Sequence, residues 1–122
     1  MSKRILVVED QEDNRRILRD LLSSAGYEMA EAWDGKAGVE AAKEQRPDLI
    51  LMDIQLPLMD GYEATRRIKA NPELKGIPII VVTSYALSGD EAKARAVGCD
   101  AYLTKPYRPR QLLAKIREFL PA

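Results

Sequence analysis

The sequence predicts an α/β fold, a five-stranded parallel sheet with five helices in a doubly wound arrangement. Three observations predict it. Short apolar runs alternate with amphipathic stretches along the whole chain, and strands alternating with helices imply βαβ units. The runs "ILVV", "LILM" and "IIVV" are apolar at every position, as strands covered on both faces require. The 122 residues are 46% hydrophobic and 31% charged, enough for one domain (1–122) with a core that needs no disulfide or metal staple.

In order, Arg4–Val8 reads as the first strand. "NRRILRDLLSSAG" follows as a helix, with Ile17/Leu21 and Leu18/Leu22 at i, i+4 spacing and Gly26 as its stop. "YEMAEA" is the second, more weakly patterned strand. "DGKAGVEAAKEQ" is a helix with Pro47 just beyond it. "LILM" makes the third strand, and Asp60 with Gly61 opens the helix "YEATRRIKA". "PIIVVTS" is the fourth strand, followed by the alanine-rich helix "GDEAKARAVG". "AYLTK" is the fifth, and "RQLLAKIREFL" closes the chain with Leu112, Leu113, Ile116, Phe119 and Leu120 on one face. The flavodoxin-like strand order 2-1-3-4-5 is the commonest solution for five such units.

Composition narrows the function. Lys+Arg and Asp+Glu both number 19, so no basic excess points to direct nucleic-acid binding. The N-terminal "MSKRILVVED" is apolar for only four or so residues, too few for a signal-peptide core or a membrane span. The single cysteine, Cys99, cannot form an internal disulfide, which fits a cytoplasmic protein. Histidine is absent, which excludes imidazole chemistry on this chain.

The sharp signal lies at the strand ends. The first strand ends on Glu9 and Asp10, the third on Asp53, the fourth on Thr83 and the fifth on Lys105. In an open parallel sheet these ends share one edge, where ligands bind at the switch in strand order. Three clustered acids need a cation. An all-oxygen ligand set favours a small hard ion, Mg2+ before Ca2+ or Mn2+, and the lack of His and of clustered Cys argues against zinc. Lys105 and Thr83 suit phosphoryl oxygens. Asp53 beside such an ion is a competent nucleophile for forming an aspartyl-phosphate.

Four segments, "ILVVEDQEDNR", "DLILMDIQLPLMDGYE", "IPIIVVTSYA" and "DAYLTKPY", together resemble the response-regulator receiver domain of two-component signalling, over essentially the whole chain. Single-domain chemotaxis and cell-division regulators are its expected kind. The resemblance implies Asp53 as phosphoacceptor, Asp10 as a direct Mg2+ ligand, Glu9 acting through water, and the Gln55 backbone carbonyl completing the metal shell. It implies that Lys105 contacts the phosphoryl group and precedes a cis bond to Pro106, that Thr83 moves toward that group, and that Tyr102 switches rotamer. A histidine kinase or histidine phosphotransfer protein would be the donor and another protein the target. The molecule would be a monomer or a phosphorylation-dependent homodimer. Gln55 and Tyr85 would tune the phosphoryl lifetime. Glu9 stands where the family more often has Asp, and Ser84 where it more often has a smaller residue. The chain starts on Met and ends one helix after Lys105, from which a stand-alone domain acting by protein contact is expected.

Blander roles compete at each position. Asp53 could cap a turn before Pro57, and Thr83 could be only a β-branched strand residue. Asp13 is better placed than Glu9 or Asp10 to cap the first helix, and Asp60 reads as a cap. Tyr102 could simply pack, and Cys99 reads as core. Trp33, Tyr107 and Arg108–Arg110 read as packing or solvated surface. The helix Asp90–Val97, with Ala92, Ala96 and Val97 as its apolar side, buries little and is expected to shift cheaply. Other functions are a small Mg2+-dependent phosphohydrolase, a flavodoxin-like nucleotide binder and a degenerate scaffold. The first would want an acid where Gln55 stands, and the second a Gly-rich loop in place of the acidic "EDQEDNR".

Overall fold

The strands alternate their side chains between two apolar layers, and that division organises the molecule. The computed structural model describes residues 2–84 and 90–121. The strands are β1 (Arg4–Val8), β2 (Glu28–Ala32), β3 (Leu49–Asp53), β4 (Ile79–Thr83) and β5 (Ala101–Thr104). The helices are α1 (Glu12–Ser24), α2 (Gly35–Gln45), α3 (Gly61–Ala70), α4 (Asp90–Ala96) and α5 (Pro109–Phe119). The sheet is parallel throughout, in the order β2-β1-β3-β4-β5, as the sequence predicts.

Leu6, Val8, Ile50, Met52, Ile79 and Val81 face one layer with Ala42, Ala64, Ile68 and Ala94 of α2, α3 and α4. Ile5, Val7, Leu49, Leu51, Ile80 and Val82 face the other with Leu18, Leu22, Leu112 and Ile116 of α1 and α5. Each run is apolar at every position because both faces are covered. No helix among the described residues is long and apolar enough to cross a membrane.

Helix boundaries differ from the sequence reading by a residue or two, with physical causes. Helix α1 starts at Glu12 with Gln11 as its cap residue, so Asp13 lies inside the first turn and is not the cap. The amide of Gln11 donates instead to Glu9 Oε2 at 3.1 Å, a carboxylate supplied from the strand end. Helix α5 begins at Pro109, whose missing N–H costs nothing in a first turn. Asp34 and Asp60 cap α2 and α3 through the amides of Ala37 (2.7 Å) and Glu63 (2.9 Å).

In α4 the buried residue is Ala94, while Ala92 and Ala96 are exposed and Val97 is half-buried. The apolar side expected there is therefore corrected by a rotation of the helix. A run so rich in alanine has too weak a periodicity to fix that rotation.

Candidate functional site

The β1–β3 register carries the site. Val8 pairs with Met52, so the residues that follow, Glu9 and Asp53, come side by side at the rim of the sheet. Carboxylate oxygens of Glu9, Asp10 and Asp53 all lie within 4.8 Å of one another. On the other side of Asp53, β4 ends at Thr83, and the Lys105 amide donates to the Thr83 carbonyl at 2.7 Å. That bond turns Lys105 back over the sheet edge. Its Nζ donates to Glu9 Oε1 at 2.8 Å and stands 3.7 Å from Asp53 Oδ2. The Lys105–Pro106 peptide is cis, as the resemblance implies.

The electrostatics are those of crowded anions around one ammonium. Burial pushes Asp53 up. The charge of Lys105 pulls it down and the adjacent Glu9 carboxylate pushes it up again, leaving its pKa at about 6. Asp10 is also raised, by burial and by Glu9. Glu9 is only 3% exposed, yet it sits below its ordinary value. Burial opposes that, but the Lys105 hydrogen bond and charge and the Gln11 amide outweigh it. Lys105 is raised: burial lowers it, and Glu9 and Asp53 more than compensate. Three carboxylates crowded around one ammonium, two of them raised, form a hard-oxygen set that a divalent cation would relieve, and Mg2+ fits their chemistry.

Of the other predicted residues, Thr83 is fully buried at the end of β4. Tyr102 is half-buried on β5 and packs against the α2–α3–α4 layer. Gln55 is exposed on the loop after β3, two residues beyond Asp53. Ser84 is exposed at the end of β4, and Tyr85 lies outside the described residues.

A family model for the response regulator receiver domain matches residues 5–117. The chain belongs to that family. This receiver domain is 43% identical over 120 residues to the polar-differentiation response regulator DivK of Brucella anthropi, with 98% of each chain covered. Among solved structures it is similar to the receiver domain of a sensor histidine kinase from Pseudomonas aeruginosa PAO1, which carries a magnesium ion in its active-site cleft. That match has 37% identity, a TM-score of 0.92 and full coverage of both chains. The chemotaxis protein CheY4 of Vibrio cholerae matches at 28% identity and a TM-score of 0.91, over 98% of this chain and 99% of that one. The resemblance carried by the four sequence segments is borne out.

Two residues of the receiver domain's site region escaped the sequence reading. Tyr107, read as packing, lines the same cleft as Asp53 and Lys105. Burial pushes its hydroxyl up, opposed by the Lys105 charge. Arg15, in a run of charged residues, is buried, and its Nη1 donates to the Glu9 carbonyl at 2.7 Å. The cleft continues away from the carboxylates between Ile17 and Leu21 of α1 on one side and Pro106 and the first residue of α5, Pro109, on the other. Ile17, expected on the buried stripe of α1, is 62% exposed along this cleft. The stripe is wider than the sheet beneath it.

The loop from β3 to α3 is drawn tight beneath Asp53. The Gly61 amide donates to the Ile54 carbonyl at 2.9 Å, and Leu58 is held at a φ of 68°. A left-handed leucine costs of order 1–2 kcal/mol. A Cβ on Gly61 would collide with the Asp53 carbonyl oxygen and the Ile54 Cα, backbone atoms that no rotamer change can move away. Gly61→Ala is therefore expected to destabilise the domain by about 1–3 kcal/mol, as overpacking does. A thermal melt checks this, and an unchanged midpoint would show that the loop gives way.

Proposed function

We propose that this receiver domain is a phosphoacceptor switch in which Asp53 takes a phosphoryl group from a phosphohistidine on a partner protein. The observation that carries this reading is the meeting of Asp53 with two further carboxylates and the Lys105 ammonium at one rim of the sheet. The donor is a histidine kinase or histidine phosphotransfer protein, since this chain has no histidine of its own. A carboxylate oxygen of Asp53 attacks phosphorus and forms an acyl phosphate. The P–N bond of the donor breaks, and its electron pair returns to the imidazole.

Glu9, Asp10, Asp53 and the Gln55 carbonyl would hold Mg2+, which supplies charge neutralisation of the transferring group. Lys105 releases part of its hold on Glu9 to stabilise the phosphoryl oxygens. Thr83 donates its hydroxyl to the new group, and Tyr102 follows with a change of rotamer. The α4–β5–α5 face then changes and alters the fit to a downstream protein in the cytoplasm. Helix α4 supports this role, because Ala94 is its one buried residue among those whose side chains are described. The apolar cleft between α1 and the start of α5 opens onto the carboxylates and offers a donor a route to Asp53. A phosphohydrolase is not favoured, because Gln55 stands where its general acid is needed.

Incubation with acetyl phosphate and Mg2+ is expected to add a single phosphoryl group by intact mass, and none with EDTA in place of the ion. A chain left unmodified with Mg2+ present would overturn the reading.

A further inference from the structure

We propose that Arg15 is a positioning residue for the divalent ion, fixing the peptide that joins Glu9 to Asp10. The inference rests on the Mg2+ reading above. The Arg15 guanidinium is buried, and leaving water is costly for a cation unless its donors are used. Its Nη1 donates to the Glu9 carbonyl at 2.7 Å, and its Nη2 donates to Glu12. Its Nε lies 3.2 Å from Glu31 Oε1 without hydrogen-bond geometry, and the Trp33 ring covers the group at 5.4 Å. The residue after β1 and residues of α1 and β2 thus gather around one planar cation.

The Glu9 carbonyl belongs to the peptide that leads into Asp10, so the plane of that peptide sets where Asp10 starts. Glu9's own amide donates to the Ala32 carbonyl at 3.0 Å. With β2 on one side and Arg15 on the other, each peptide flanking Glu9 is held by a hydrogen bond. Two adjacent carboxylates that must converge on one ion gain their spacing from this clamp, as partners behind metal ligands commonly do.

Arg19 shows that charge balance alone does not explain Arg15. Arg19 is half-buried, pairs with Glu31 at 2.7 Å and lies 3.7 Å from Glu12, and so serves both anions that Arg15 touches. Neither carboxylate is stranded when Arg15 is replaced. What Arg19 does not replace is the bond to the Glu9 carbonyl.

The two explanations differ in sign. If Arg15 acted only as a nearby positive charge it would repel a divalent ion, and its removal would tighten Mg2+ binding. Positioning demands the opposite. Calorimetric Mg2+ titration of the full chain should show Arg15→Met weakening the affinity about tenfold, within the range found for partners behind metal ligands. Faster exchange of the Asp10 amide should accompany the loss. Arg19→Met breaks the same ion-pair network away from Glu9 and should leave the affinity unchanged. Arg15→Lys keeps the charge without the fork and should fall between wild type and Met, which preserves the test if the Met variant does not fold. Equal or tighter binding by the Arg15 variants, or equal weakening by Arg19→Met, overturns this inference alone. A wild-type chain that binds no Mg2+ overturns the phosphoacceptor reading as well.

Discussion

Asp53→Asn is expected to abolish phosphoryl capture and, at the same time, to make the fold more stable. The first effect follows from chemistry: an amide has no anionic oxygen to attack phosphorus, and neither Glu9 nor Asp10 occupies its place at the end of β3. The second follows from the cost of the carboxylate. The Asp53 side chain is 12% exposed, and burial with the neighbouring Glu9 lifts its pKa from 3.8 to about 6 against the pull of Lys105.

Between those two values the folded protein keeps a proton that the unfolded chain has released. Stability therefore falls as pH rises through that window and stays reduced above it. Asparagine removes the titration. Without divalent ions at pH 7.5, the variant should melt several degrees above wild type, reflecting about 1–3 kcal/mol. The gap should close as pH drops toward 4, and Mg2+ should narrow it by stabilising wild type alone. A variant that melts with wild type at pH 7.5 would show that the anion crowding costs nothing. A variant that still gains a phosphoryl group would show that another residue is the nucleophile.

The same crowding explains which parts of the molecule were legible in the sequence. A strand covered on both faces is apolar until it leaves the sheet, so the first polar residue after each run marks the rim. Glu9, Asp53, Thr83 and Lys105 were found that way, and each stands at the end of its strand or just beyond it. Arg15 could not be found. It lies beside Arg16, which is largely exposed, in the run "EDNRR", and only the packing of α1 on β1 and β2 separates the two. The start of α1 was hidden for a related reason, since the group that receives the Gln11 amide is the carboxylate of a strand-end residue outside the helix. Tyr107 reads like any aromatic after a proline, and only its place beside α1 shows that it lines the cleft. In each case the missing information was a contact between elements, which local periodicity does not encode.

Lys105→Met is expected to be the most damaging single change to the site when divalent ions are withheld, and the one that Mg2+ repairs best. The variant takes the ammonium from Glu9, almost fully buried, whose carboxylate still accepts from the Gln11 amide and from the Asn14 side-chain amide at 3.2 Å. Breaking a buried pair costs about 3–5 kcal/mol, and the partial exposure of Lys105 places the loss near the lower end of that range.

The pH dependence that Glu9 contributes should change sign. In wild type, Glu9 lies below its ordinary 4.5, so its contribution is present above that value and is lost as pH falls through the lower folded pKa. Without the ammonium, burial is the largest influence left on Glu9 and pushes it up against the Gln11 amide and the Asp10 hydrogen bond, so the variant should lose stability as pH rises above the ordinary 4.5. A bound divalent ion restores the missing positive charge, and the midpoint gained on adding Mg2+ should exceed the gain of wild type. Phosphoryl capture should nonetheless stay about 100- to 1000-fold slow with Mg2+ present, the loss expected when one donor to a developing charge is removed. Thermal melts across pH with and without Mg2+, together with the rate of mass gain from acetyl phosphate, separate the two roles. A variant whose melting is indifferent to both pH and Mg2+ would mean that Lys105 does not hold the carboxylates together.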